Sequence, residues 1–123
     1  MTDRVSLTVP RQRPYFAVAH LVLGGVALRQ NVTLEALEDL QVALDEVLGR
    51  EDGPGDVTIE VRVDVGTLEA RLGPFEPETL RADLQPSPAR ELGLRRVLDS
   101  TVDGVELEST PDGDWVHLKK AVG

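Results

Sequence analysis

Thr33 to Arg50 reads TLEALEDLQVALDEVLGR, and the fold follows from how this stretch spaces its leucines. Leu34, Leu37, Leu40, Leu44, Val47 and Leu48 recur three and four residues apart, which lines them along one side of an α-helix. Glu35, Glu38, Asp39, Asp45 and Glu46 leave an acidic surface beside that stripe. Thr33 is suited to accept hydrogen bonds from the first unpaired amides, and Glu35 lies in the positive first turn. Gly49 and the run GREDGPGD stop the helix.

Downstream, Val57, Ile59, Val61, Val63 and Val65 alternate with Thr58, Glu60, Arg62 and Asp64, the pattern of a half-buried strand. Gly66 marks a turn, and Leu68, Ala70 and Leu72 begin a return strand, giving an antiparallel hairpin. Upstream, Arg4 to Val9 predicts a short strand with Val5, Leu7 and Val9 pointing one way, ended by Pro10. PYFAVAHLVLGGVALRQN predicts a helix opened by Pro14. It is apolar almost all round and is expected to be heavily buried, with Gly24 and Gly25 allowing a close crossing or a bend. His20 reads as a packed or partly exposed helix residue rather than a catalytic base.

GPFEPETLRADLQPSPA carries four prolines and reads as a long surface connection, with one helical turn at ETLRADL. Arg90 to Asp99 predicts a last helix with Leu92, Val97 and Leu98 toward the core. Val105 and Leu107 start another strand, TPDGD turns, and WVHLK supplies the final strand, where Val116 and Leu118 oppose Trp115 and His117. The order β-α-α-β-β-α-β-β implies a two-layer α/β (α+β) sandwich, a mostly antiparallel sheet with helices packed on one face.

A chain of 123 residues suits a single domain, 1–123, with one core. Aromatics are only 3%, so that core must be aliphatic. Twenty-two acidic against 13 basic residues give a net charge of -9, which disfavours nucleic acid and anionic membranes and makes a basic protein surface the natural partner. The absence of cysteine excludes disulfides, thiolate nucleophiles and cysteine-ligated zinc. His20 and His117 lack a nearby ligand constellation, so no metal site is expected. MTDRVSLTVP lacks the apolar core of a signal peptide, and AHLVLGGVAL is too short to span a bilayer. A cytoplasmic location is the resulting expectation.

The element order, with ALDEVLGR closing the second helix and LGLRRVLDSTVDGVELES near the C-terminus, resembles the anti-sigma-factor serine kinases of the histidine-kinase-like ATPase superfamily. The likeness runs from SLTVP to WVHLKK. It implies an ATP site walled by the second helix and a lid, and a protein partner: a sigma factor, or an antagonist phosphorylated on serine. It also implies that homodimers are common.

Three family boxes are altered here. In the first, E-x-x-x-N, Glu46 matches the catalytic base, but the magnesium-holding Asn position falls on Arg50. In the second, D-x-G-x-G, Gly73 and Phe75 match remnants, and no Asp precedes them to read adenine. In the third, G-x-G-L, Gly93 and Leu94 are kept while Glu91 replaces the first Gly, and Arg95 follows where it could face a nucleotide. Phosphoryl transfer works by positioning and by neutralising charge, usually through Mg2+. Losing the metal-holding oxygen removes the central electrostatic element. Losing the adenine partner costs roughly 1–3 kcal/mol, and a carboxylate beside phosphates repels them. Arg50 could neutralise phosphate directly, but it reads more simply as an i,i+4 surface pair with Glu46, worth about 0.2–0.5 kcal/mol.

The expected function is therefore a regulatory protein-binding domain resembling an anti-sigma factor, with a vestigial nucleotide site (Glu46, Arg50, Gly73, Phe75, Gly93, Leu94, Arg95), no cofactor and no metal. Its expected interface is the first helix together with the acidic face of the second. The alternative is an ATP- and Mg2+-dependent protein serine kinase acting on an antagonist. A further alternative is an unrelated small structural or assembly protein.

Overall fold

The computed structural model describes residues 3–29, 32–49, 55–64, 66–76 and 94–121. Strand β1 (Asp3–Pro10) leads through a 3-10 turn at Arg13–Tyr15 into helix α1 (Phe16–Arg29), then α2 (Leu34–Leu48). The hairpin β2 (Asp56–Asp64) and β3 (Thr67–Phe75) follows, and α3 (Leu94–Thr101), β4 (Gly104–Thr110) and β5 (Gly113–Ala121) close the described order. This is the predicted β-α-α-β-β-α-β-β sequence.

The five strands lie in the order β1-β2-β3-β5-β4, every neighbouring pair antiparallel. Registers align the apolar positions into rows that cross the whole sheet. One row runs Leu7, Ile59, Leu72, Val116, Leu107, and the next runs Val5, Val61, Ala70, Leu118, Val105. Side chains alternate faces along a strand, so both rows point to one side and form the floor of the core. Leu23 and Val26 of α1, Leu40, Leu44 and Val47 of α2, and Leu94 and Leu98 of α3 cover that floor. The α/β sandwich with helices on one face is thus the observed fold.

Helix α2 begins as predicted, with Thr33 Oγ1 accepting from the Ala36 amide at 3.2 Å. Its buried stripe is rotated from the leucine reading. Ala36, Leu40, Ala43, Leu44, Val47 and Leu48 are buried, whereas Leu34 at the first turn is exposed. Ala36 and Ala43 belong to the buried stripe, and their weak apolar signal hid them among the leucines.

Three expectations change in detail. Helix α1 is buried on one side only, through Phe16, Ala19, Leu23, Val26 and Ala27, because a helix in the upper layer of a two-layer sandwich packs against the sheet with one face. Gly73, Pro74 and Phe75 belong to β3 rather than to a surface connection. The β3–β5 register shifts there, from Leu72↔Val116 to Phe75↔Asp114, so one extra residue is accommodated as a bulge. That extra residue brings Phe75 back to the core face. Finally, Val97 is only half-buried, and Leu94 and Leu98 carry the core contact of α3. The expected turn at ETLRADL and Leu92 lie outside the described residues.

Candidate functional site

Among the described residues, those of the altered boxes are spread over α2, β3 and α3. Leu94 is fully buried and joins the same core cluster as Leu44, Val47 and Phe75. Phe75 is also buried, with the Arg11 guanidinium 5.4 Å from its ring centre. Arg11 holds that corner through several bonds: its Nε donates to the Asp56 carbonyl at 3.0 Å, and Nη2 donates to the Pro74 carbonyl. Its backbone amide donates to the Gly55 carbonyl at 3.0 Å. The start of β2 and the end of β3 are thereby pinned to the chain leaving β1. Nothing in the sequence pattern singled out Arg11.

Gly73 serves packing. A Cβ there would lie 2.5 Å from Trp115 Cδ2, so the indole lies across a residue that must lack a side chain. Arg95 turns to its own helix, its Nε donating to Asp99 Oδ1 at 3.0 Å in an i,i+4 pair. Glu46 is half-buried on α2. Arg50, Glu91 and Gly93 lie outside the described residues. Among the described residues no group of His, Asp and Glu is placed to hold a metal ion. Of the described box residues, Phe75 and Leu94 are thus buried in the core, Gly73 lies under Trp115 and Arg95 is paired within its own helix.

The outer surface of the helical layer has a different character. Val18, Leu21, Gly25 and Leu28 follow one another at three-, four- and three-residue spacing along α1, and all four face outward. Leu21 is 76% and Leu28 82% exposed, and Leu34 at the start of α2 is 68% exposed. A Cβ at Gly25 would meet nothing within 4 Å, so the stripe has an open dip at its middle. Large aliphatic side chains exposed in a continuous row mark a contact surface more often than isolated ones do.

Beside this row, the two aspartates of α2 differ from Glu35 and Glu38. Asp39 Oδ2 lies 3.0 Å from Lys120 Nζ of β5, and Asp45 Oδ1 lies 2.7 Å from His20 Nε2 of α1. These two tie the helix to its neighbours. Glu35 and Glu38 remain on the exposed side near Leu34. The acidic face predicted for a partner is thus narrower than the sequence suggested. His20 is a partly exposed helix residue, as read, and its work is to bridge two helices.

The helix-free face of the sheet carries a cavity of about 320 Å³ lined by Arg4, Glu60, Arg62, Arg71, Glu108 and His117 among others. It is a lattice of ion pairs, including Arg4–Glu60 at 3.1 Å, Arg62–Asp64 at 3.2 Å and Arg71–Glu108 at 2.6 Å. No described helix is long and apolar enough to cross a membrane.

No family model matches the chain. It is similar to serine-protein kinase RsbW of Listeria innocua, 30% identical over 99 residues that cover 70% of this chain and 62% of that protein. The Bacillus subtilis protein of the same name is 34% identical over 74 residues, covering 54% of this chain and 46% of the relative. That of Bacillus mycoides is 20% identical over 127 residues, covering 85% and 77%. The chain thus spans 62% of the length of the Listeria innocua relative in the matched region. Relatives of this name support the family resemblance drawn from the sequence.

Proposed function

We propose that this chain is an anti-sigma-factor-like regulatory domain that works by holding a protein partner on the outer surface of α1 and the first turns of α2, without phosphoryl transfer. The observation that carries this reading is the exposed row Val18, Leu21 and Leu28 on α1, with Leu34, Glu35 and Glu38 also exposed at the start of α2. Burying three aliphatic side chains of this kind on a partner contributes about 1.5–3 kcal/mol each. The carboxylates favour a basic approach and speed encounter more than they add affinity. A sigma factor or its antagonist is the partner class the resemblance implies, and a second copy of the chain is a further occupant of the same row.

The loss of kinase chemistry rests on separate ground. Arg50 stands where the family holds magnesium, Glu91 stands at the phosphate loop, and Gly73 and Phe75 are engaged in packing. The kinase reading keeps one specific support, the name serine-protein kinase borne by the relatives. The test of the interface replaces Leu21 and Leu28 together by Glu and follows capture of partners from native extract alongside sedimentation of the purified chain. Loss of capture or of self-association, with unchanged monomer stability, is the expected result. Retention of both in a folded double variant would overturn the placement.

A further inference from the structure

On the helix-free face, one row crosses the sheet as Ser6, Glu60, Arg71, His117 and Glu106. Arg71 is its hub. Its Nη2 donates to Glu108 Oε1 at 2.6 Å, its Nη1 lies 3.6 Å from Glu60 Oε2, and its guanidinium stacks 3.9 Å from the Trp115 ring centre. Its Nε donates to His117 Nε2 at 3.2 Å. A ring nitrogen that accepts a hydrogen bond carries no hydrogen, so this bond requires a neutral His117 with its proton on Nδ1. The same Nε2 lies 3.6 Å from Glu108 Oε1.

One nitrogen thus has two competing partners, a donor cation and an acceptor anion, and its protonation state selects between them. We propose that His117 is a proton-operated latch on Arg71. Neutral, it accepts from Arg71 and helps hold the guanidinium over Trp115. When Nε2 takes a proton from solvent, it can no longer accept. It then donates to Glu108, and Arg71 withdraws from Glu108 and the indole toward Glu60.

The surrounding charges permit this exchange. Glu108 and Glu106 face the ring from β4, Glu69 and Arg71 from β3, and Glu60 and Arg62 from β2. Arg4 lies beyond on β1, and Lys119 is on the ring's own strand. The hydrogen bond from Arg71 holds the Glu108 carboxyl below its ordinary value, so it is an anion available to a protonated ring. Two cations then share one carboxylate, and the mobile one has an alternative carboxylate at 3.6 Å.

Trp115 is the sole tryptophan, so its emission reports the stack directly. The full chain is titrated from about pH 8 to about pH 5 with circular dichroism followed in parallel. One emission step at constant secondary structure is expected. It vanishes in His117→Gln and persists in His20→Gln. Nitrogen NMR of the wild-type histidines supplies a readout that needs no variant, with His117 expected as the Nδ1–H tautomer at the alkaline end. A flat emission profile, a step that survives in His117→Gln, or an Nε2–H tautomer at alkaline pH would overturn the latch.

Discussion

His20 Nε2 lies 2.7 Å from Asp45 Oδ1, joining the start of α1 to the end of α2. Asp39 is likewise bound to Lys120 at 3.0 Å, so both aspartates of α2 are engaged within the molecule. Charge reversal therefore separates two roles. Glu35→Lys with Glu38→Lys should weaken capture of a basic partner while changing stability by less than about 0.5 kcal/mol. Asp39→Lys with Asp45→Lys should instead lower the thermal midpoint, because each places a cation against Lys120 or near His20. Equal effects of the two pairs on both readouts would refute the division.

Core substitutions should divide equally sharply. Leu44 is fully buried on α2 and Ile59 nearly so on β2, so truncating either to Ala should cost about 2–5 kcal/mol in denaturant unfolding. Leu28→Ala should cost far less, since that side chain is 82% exposed.

Two glycines should respond in opposite directions. Gly73→Ala drives a methyl to 2.5 Å from the indole and should destabilise by about 1–3 kcal/mol. Gly25→Ala meets open space inside a helix and should stabilise the monomer by about 1 kcal/mol. A loss of self-association or capture in the second variant, despite higher stability, would place the Gly25 dip within a contact.

The Glu108 carboxyl is held below its ordinary value chiefly by the hydrogen bond from Arg71, with the charges of Arg71 and His117 adding to it. A depressed folded-state value contributes stability that is fully present above the unfolded value and is lost as pH falls through the folded one. The stability difference between the wild-type chain and Glu108→Gln should thus shrink once pH falls below about 4.5. A difference that grows on acidification would contradict the assignment.

Much of the fold was legible because two periods were clean. The alternation from Val57 to Val63 and the leucine spacing of α2 fixed the hairpin and the helix above it. What was hidden has local causes. Ala36 and Ala43 bury without a strong apolar signal, and the bulge at Gly73–Pro74 breaks the alternation that would have extended β3 to Phe75. The outward stripe of α1 could not be told from core, because periodicity reports spacing and not what lies above a helix. The ion lattice of the sheet's open face depends on cross-strand register, which a strand's own sequence does not contain.

Whether this domain acts by protein contact alone is read most directly by calorimetric titration of the full chain with ATP and Mg2+. The expected result is no magnesium-dependent binding at micromolar nucleotide, with Arg50→Asn alone failing to restore it, because Glu91 and the packed Gly73–Phe75 corner would remain. Micromolar, magnesium-dependent affinity in the unaltered chain would contradict it and establish the nucleotide site as working.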